Sequence, residues 1–292
     1  ELNYRPHAAA RAMAGRSFQT IGVLAAEYAF GSYFGHVLRG IVAQAEEQGY
    51  HVLIKMSHSK LDLHQARIFQ EELIDGVIIP AETEPHLADA LLHFAIPFVW
   101  LHAGIDEPFD CVMSDEFQGM QLLVDHLLAL GHRRIAYMPH DEPASKDAHL
   151  VVTRRQAYLA ATRARGLEPL EAPEPVMKPA AAVDAFLDMP QRPTALAAFT
   201  DALAALTAIA LLDRGVRVPA EMSVVGNEGV VWHNYTHPRL TTVRAPVYDL
   251  GRAAVKMLVQ HIDNGEPQPS LKLPQELVVQ ESTGPVPPGP LI

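Results

Sequence analysis

Histidine is the residue type in this chain whose number and spacing first suggest metal chemistry. The sequence has 15 histidines, and His233 and His237 are four positions apart, a spacing that puts two ligands on one face of a helix. Pro238 follows directly and makes a helix unfavourable there. No cysteine cluster or neighbouring carboxylate pair completes the site. We therefore interpret the histidines as packed or solvated side chains and predict no bound metal.

The common signatures of catalysis and nucleotide binding do not occur in the sequence. It contains no G-x-G-x-x-G, Walker A, H-E-x-x-H or G-x-S-x-G motif. No nucleophile and base stand in a recognisable arrangement. We therefore expect a protein that is not an enzyme and that needs no cofactor.

The charge of the chain is distributed unevenly. The formal net charge is −11, which argues against nucleic-acid binding by the bulk of the protein. The opening segment is basic, because Arg5, Arg11 and Arg16 stand there against Glu1 alone. Cys111 is the only cysteine and no apolar stretch is long enough to span a bilayer, so we expect a cytoplasmic protein without a membrane partner.

Short apolar runs alternate with amphipathic stretches along most of the chain. The runs that predict strands are 20–24, 51–56, 76–80, 97–101, 111–114, 134–138, 195–200, 223–227 and 240–244. The stretches that predict helices are 33–48, 63–72, 84–93, 117–130, 151–165, 202–214 and 250–263. Apolar strands separated by helices are typical of parallel sheets covered on both faces. We predict an α/β fold with two lobes, each holding a sheet of about five or six strands.

The first residues of the chain predict a short helix that needs a partner. An alanine-rich helix begins after Pro6 and ends at Gly15, because proline favours a first helical turn and glycine the position after the last. A lone helix of about eight residues is unstable in water, since nucleation is costly. We expect residues 1–16 to be ordered only by a binding partner.

Several motifs along the chain closely resemble those of the LacI/GalR family of transcriptional regulators. The opening residues resemble the hinge helix and first core strand of that family, and later motifs follow in family order. The matching segments are LNYRPHAAARAM (2–13), TIGVL (20–24), IDGVI (74–78), LGHRRIA (130–136), VVG (224–226), PRLTTV (238–243) and QEST (280–283). The resemblance covers essentially the whole chain.

The resemblance implies a helix-turn-helix headpiece before Glu1 and a homodimer of two-lobed cores. Each core is similar to a periplasmic sugar-binding protein, a clamshell of two Rossmann-like lobes joined by three crossovers. The implied divisions are a hinge remnant at 1–16, an N-terminal lobe at 17–116 plus 245–272, and a C-terminal lobe at 117–244 plus 273–292.

The resemblance also implies how the hinge contacts operator DNA. Two hinge helices lie side by side in the minor groove, and Met13 takes the place of the leucine that wedges into a base step. Arg5 and Arg11 contact phosphates or the groove. The alternative is that Met13 packs on the core or is simply exposed.

By resemblance, the effector-binding residues lie between the lobes. Tyr33 and Phe34 stand where the family stacks an aromatic ring on the ligand, although Phe34 fits a core position equally well. Arg154 aligns with the arginine that grips the ligand, and its planar donors suit sugar hydroxyls or a carboxylate. Asp115 at the first crossover is a further candidate, with a plain loop role as its alternative.

Three more candidates depart from or compete with the family pattern. Thr200 and Asp201 stand where many sugar-responsive members carry Asn-Asp, and both are also good helix caps. Glu228 replaces the aspartate of the family, and its longer side chain displaces the ligand or selects a smaller one. These differences prevent the transfer of a particular sugar from a known relative.

We therefore hypothesise a repressor whose core binds a sugar or sugar derivative and whose lobe closure controls the hinge helices. An exported periplasmic sugar-binding protein is the first alternative, which a signal peptide and monomeric behaviour would favour. An enzyme on the same fold is the second.

Overall fold

The computed structural model describes residues 17–26, 32–57, 74–79, 91–93, 95–102, 110–139, 149–172 and 179–286. The chain folds into two compact units, Glu1–Met113 with Val247–Leu273 and Ser114–Pro246 with Pro274–Ile292. It passes from one unit to the other three times. Among the residues that the structure describes, no helix is long and apolar enough to cross a membrane.

The first unit is built on a six-stranded sheet. Its strands are β1 (Thr20–Ala26), β2 (His51–Ser57), β3 (Gly76–Ile79), β4 (Phe98–Leu101), β5 (Asp110–Ser114) and β11 (Leu271–Leu273), and their order is β11-β5-β4-β3-β1-β2. The pairs from β2 through β5 are parallel. Strands β3, β4 and β5 are buried along their whole length, which explains why they read as unbroken apolar runs.

The second unit repeats this arrangement with later strands of the chain. Its strands are β6 (Ile135–Met138), β7 (Leu170–Glu171), β8 (Ala195–Ala198), β9 (Ser223–Glu228), β10 (Thr241–Arg244) and β12 (Glu276–Val278), in the order β12-β10-β9-β8-β6-β7. The first five are parallel and β12 runs antiparallel to β10. In both sheets the first strand of the unit lies between the second and the third, which is a doubly wound order.

Helices connect the strands within each unit. Those within the described residues are α1 (Ser32–Glu47), α2 (Glu116–Ala129), α3 (His149–Arg163), α4 (Pro179–Leu187), α5 (Asp201–Leu212) and α6 (Val247–Asn264). In the second unit, α2 and α3 cover one face of the sheet with buried side chains such as Leu123 and Tyr158. The opposite face packs under α4 and α5, through residues such as Phe186 and Leu211.

Two glycines bring α1 and α6 of the first unit into close contact. A Cβ atom on Gly40 would lie 2.0 Å from the Tyr248 carbonyl oxygen, and one on Gly251 would lie 2.1 Å from the Val37 carbonyl oxygen. Because each glycine meets the backbone of the other helix, no side chain larger than hydrogen fits at either position. The α6 helix is thereby held against α1.

The predicted fold class is confirmed, with two sheets of six strands each. The units divide the chain after Met113, Pro246 and Leu273, whereas the predicted divisions are after residues 116, 244 and 272. The largest difference moves Ser114, Asp115 and Glu116 into the second unit, because α2 packs against the strands of that unit. The predicted hinge at 1–16 and the helix predicted at 63–72 lie outside the described residues.

Candidate functional site

Arg154 is the centre of a buried polar cluster in the second unit. The α3 helix places its guanidinium at the carboxyl ends of the parallel strands, which is where ligands bind in open α/β sheets. Nε donates to Glu116 Oε2 at 2.8 Å and Nη1 donates to the Phe199 carbonyl oxygen at 2.8 Å. The guanidinium also lies over the Phe199 ring, 4.8 Å from its centroid. Arg154 is 1% exposed, so these contacts hold a buried charge in place.

Glu116 is the counter-charge of Arg154 and has further donors of its own. It is the first residue of α2, separated from β5 only by the N-cap Asp115, and its side chain is buried. Oε1 accepts hydrogen bonds from Ser114 Oγ at 2.5 Å and from Gln275 Nε2 at 2.9 Å. Gln275 follows the third crossover, so this carboxylate ties α2 to the last segment of the unit.

Asp201 begins α5 and is bound by strand β10 and by the loop that follows β9. Its carboxylate accepts from Thr242 Oγ1 at 2.6 Å and from the backbone N–H of Gly229 at 3.0 Å. A Cβ atom on Gly226 would lie 2.2 Å from Oδ1, so only glycine leaves room for this carboxylate. His233 Nδ1 lies 3.8 Å from Oδ2. Burial raises the pKa of Asp201 above its usual range, against the lowering effect of its hydrogen-bond donors.

Glu228 is the last residue of β9 and has a strained backbone. Its φ is 133°, a region that residues other than glycine rarely adopt. Oε1 lies 3.6 Å from Arg154 Nη1, and 21% of the Glu228 side chain is exposed. Burial is the main cause that raises the pKa of Glu228 to about 7, and the nearby Asp201 and Glu116 carboxylates raise it further while Arg154 lowers it.

Thr200 and Asp115 act as helix caps in the structure. Thr200 Oγ1 accepts from the Leu203 backbone N–H at 3.1 Å and caps α5. Asp115 Oδ1 accepts from the Gln118 backbone N–H at 3.0 Å and caps α2. The Thr200 contact matches the capping alternative considered for that residue, whereas Asp115 caps a helix instead of having the plain loop role considered for it. Effector contact by either residue stays a prediction.

The aromatic candidates lie in the first unit and differ in exposure. Tyr33 is half-buried, and its hydroxyl is hydrogen-bonded to His102 Nε2 with the two rings tilted at 52°. Phe34 is 3% exposed and belongs to the core of that unit. Its burial supports the core alternative, whereas effector contact by Tyr33 stays a prediction. The hinge candidates Arg5, Arg11 and Met13 lie outside the described residues.

Three members of the Arg154 cluster were missed by sequence reasoning. Glu116, Phe199 and Gln275 all contact Arg154 or each other, but none belongs to a motif that indicates ligand binding. Glu116 offers the one usable signal, because it is a carboxylate within two residues of the end of a buried strand. In a helix's first turn such a residue is usually explained by the helix dipole. Only the fold brings it to the arginine.

We expect the Glu228→Gln variant to be more stable than the parent above neutral pH. The folded-state pKa of about 7 exceeds the ordinary value of 4.5, so the folded protein holds the proton more tightly and the free energy of unfolding falls as pH rises between these values. Each pKa unit corresponds to about 1.4 kcal/mol, so the gain at pH 8 is on the order of 2 kcal/mol.

Urea unfolding at pH 5, 6.5 and 8 measures this effect. Glu221→Gln is the matched control, since Glu221 is a surface carboxylate paired with Arg217. In that control, the free energy of unfolding should change with pH as it does in the parent protein. If the Glu228→Gln variant also showed the parent's pH dependence, Glu228 would ionise like an exposed carboxylate.

Comparisons with known proteins agree with this architecture. Residues 124–283 match the periplasmic binding protein-like domain family. The arabinose metabolism transcriptional repressor of Geobacillus stearothermophilus is 30% identical over 258 residues, which cover 84% of this chain and 71% of the repressor. The HTH-type transcriptional repressor PurR of Proteus mirabilis is 30% identical over 279 residues, covering 90% of this chain and 79% of PurR.

A solved structure supports the same relationship. The crystal structure of a LacI transcriptional regulator from a Rhodococcus species superposes with a TM-score of 0.78 at 28% identity, covering 91% of this chain and 99% of that one. The shared sequence motifs, the two six-stranded sheets and these relatives lead to one assignment. The chain belongs to the LacI/GalR family of transcriptional regulators and contains the periplasmic-binding-protein-like core of that family.

Proposed function

We propose that this chain is the effector-binding core of a transcriptional repressor whose effector is a sugar or a sugar derivative, and that it is not an enzyme. The observation that carries the proposal is the polar cluster at the carboxyl ends of β8 and β9. There Arg154, Asp201 and Glu228 form a rigid set of donors and acceptors within one unit. Such a set suits a ligand with several hydroxyl groups.

Two observations support a sugar as the effector: the hydrogen-bonded arrangement of the Arg154 cluster and the similarity to a repressor of arabinose metabolism. The arabinose metabolism repressor of G. stearothermophilus is one of the relatives with 30% identity. The cluster presents charged groups whose orientation is set by hydrogen bonds to backbone and side chains rather than by solvent. Preorganised polar groups of this kind lower the entropic cost of ligand binding.

We also propose that the regulator binds operator DNA as a homodimer. In the second unit, Leu206, Ile209 and Leu212 recur every third residue of α5 and are about half exposed. Exposed Trp232 and Tyr235 lie at the neighbouring 3-10 helix, which contacts α5. A contiguous apolar surface of this kind favours burial, and a second copy about a twofold axis supplies the same surface.

The Leu206→Asp variant is expected to dissociate this dimer. A charge placed within a buried apolar contact loses its hydration without gaining a partner, so the mass in solution should fall from twice 32.0 kDa to that of the single chain. Sedimentation velocity measures the change. Val152→Asp, at an exposed apolar position of α3, is the control that should leave the dimer intact. A Leu206→Asp protein that remains dimeric would place the interface elsewhere.

The decisive test of the function combines ligand binding with DNA release. A thermal-shift screen of the chain against sugars, sugar acids, sugar phosphates and purines identifies the effector, and a ligand at about 100 times its Kd stabilises the protein by about 2.7 kcal/mol. The full-length gene product is then titrated onto DNA from its own promoter with and without that ligand. A ligand that binds without changing DNA affinity, or a protein that is monomeric and binds no DNA, would favour a transport receptor instead.

A further inference from the structure

We propose that Glu228 selects the effector by charge: its carboxylate accepts a hydrogen bond from a hydroxyl or protonated amine of the ligand and rejects anionic compounds. This inference rests on the proposed function, because it concerns the same site. It specifies the effector as an uncharged or cationic polyhydroxy compound and excludes sugar acids and sugar phosphates.

The first step of the argument is the orientation of Arg154. An arginine in a binding site suggests an anionic ligand, since a guanidinium pairs well with carboxylate or phosphate. Here the Nε atom donates to Glu116 at 2.8 Å and the Nη1 atom donates to a backbone carbonyl at 2.8 Å. Its charge is therefore already balanced within the protein by a buried carboxylate.

The second step concerns which charged group a ligand meets. The side chains of Arg154, Glu116 and Asp201 are only 1–2% exposed, whereas that of Glu228 is 21% exposed. Glu228 is therefore the charged member of the cluster whose oxygens are most accessible from outside. A carboxylate offers acceptors only, so the complementary ligand group is a donor.

The third step is the balance of charges around Glu228. Arg154 is the cation that α3 directs at it, while Glu116 from α2 and Asp201 from α5 add two carboxylates. Arg244 stands beside Glu228 on β10, but it is exposed and forms no ion pair with Glu228 among the described residues. Its charge is screened by solvent, so the buried part of the site remains acidic.

The raised pKa of Glu228 is consistent with a site that rejects anionic ligands. The acidic surroundings and burial raise its pKa to about 7, so an incoming anion would add to a repulsion that already exists. His233, on the far side of Asp201, does not compensate, because burial lowers its pKa and favours the neutral ring. The positive φ of Glu228 is a backbone strain of the kind that clusters at ligand-binding positions.

Matched ligands that differ at one carbon test the proposal. Glucose, galactose, mannose and arabinose are each compared with the derivatives that carry an amine, a carboxylate or a phosphate at the terminal carbon, using calorimetry on the full chain. For the sugar that binds, we expect the neutral and amine forms to bind at least tenfold more tightly than the acid and the phosphate, a difference of about 1.4 kcal/mol.

The Glu228→Gln variant should remove the discrimination. Glutamine keeps the size and a hydrogen-bonding group without the charge, so the acid and the phosphate should gain at least tenfold in affinity relative to the neutral sugar. Glu281→Gln, a surface carboxylate of the same unit paired with Arg239, should leave all affinities unchanged. Amine binding should also strengthen from pH 6 to pH 7.5 as Glu228 ionises.

Three results would overturn the proposal. The first is an anionic form that binds the parent protein within threefold of the neutral form. The second is a Glu228→Gln variant with the same preference as the parent, and the third is no binding by any member of the four sets.

Release of operator DNA separates failure of this proposal from failure of the proposed function. A sugar phosphate that binds tightly and releases DNA leaves the regulator assignment standing. A neutral sugar that binds without affecting DNA supports charge selection and contradicts the regulator assignment.

Discussion

Replacement of Arg154 by methionine is expected to lower the free energy of unfolding by about 3–5 kcal/mol. Methionine preserves most of the apolar contact with Phe199 but leaves the buried Glu116 carboxylate without its counter-charge. Removal of one partner from a buried ion pair costs this much because the remaining charge is neither hydrated nor paired. The Phe199 carbonyl oxygen also loses its donor from Arg154.

Urea unfolding of three variants tests this prediction. Arg155→Met is the matched control, since Arg155 is the next residue of α3, half exposed and paired with Glu171 at the surface, and its loss should cost less than about 1 kcal/mol. The double variant Arg154→Met/Glu116→Gln should recover part of the loss, because no unpaired charge remains. Equal effects of Arg154→Met and Arg155→Met would contradict the central role of the Glu116 pair.

Replacement of Gly251 by alanine is expected to destabilise the first unit by about 3 kcal/mol. The added methyl group would lie 2.1 Å from the Val37 carbonyl oxygen and 2.8 Å from the Ile41 backbone nitrogen. Backbone atoms cannot rotate away as a side chain can, so α1 and α6 must separate along their contact. Overpacking of a tight interior typically costs about 1–3 kcal/mol, and a helix-to-helix contact with backbone atoms belongs at the upper end.

Gly35→Ala is the control for this prediction. Gly35 is exposed on α1 and a Cβ atom there meets nothing within 4 Å, so alanine should stabilise the protein by about 0.5–1 kcal/mol through helix propensity alone. Thermal unfolding monitored by circular dichroism compares the two variants. Similar melting temperatures for Gly251→Ala and Gly35→Ala would show that α1 and α6 are not held at the described distance.

Apolar runs in the sequence predicted most of the strands. Each of the nine predicted runs corresponds to an observed strand. Most of these strands are buried on both faces and need continuous apolar residues, whereas the edge strand β2 leaves Leu53 and Ile54 exposed. The strands β7, β11 and β12 were not predicted. They are two or three residues long and lie at sheet edges, where pairing with a neighbour forms the strand and the local sequence carries little signal. The α4 helix was also missed, since its alanines give weak periodicity.

The candidate site was predicted in part. Arg154, Asp201 and Glu228 lie in one cluster, but nothing in the sequence showed that Arg154 is paired internally. Its partner Glu116 is 38 residues away, and Gln275 is a further 159 residues from Glu116. Such distant contacts depend on strand order, which local sequence patterns do not encode. The residues of the site could therefore be predicted from the sequence, whereas the internal pairing of Arg154 could not.

One recognisable motif has a structural role. In the LGHRRIA run, His132 is buried, with Nδ1 hydrogen-bonded to Thr194 Oγ1 at 2.9 Å and Nε2 donating to the Gly284 carbonyl oxygen at 3.0 Å. Since a carbonyl only accepts, Nε2 carries the proton. The histidine thus joins the start of β6 to the final segment of the second unit. Its role explains why the motif aided recognition without indicating ligand chemistry.

The close contact between α1 and α6 has a consequence for synthesis of the protein. Domains generally fold as they leave the ribosome, N-terminal ones first, at about 5–20 residues per second. The first unit cannot do so, because α6 and β11, which complete it, come after the strands β6–β10 of the second unit. Until they emerge, the apolar face of α1 stays uncovered. The unit that is translated first is therefore completed last, and chaperone binding to nascent chains should be greatest before residue 247 is made.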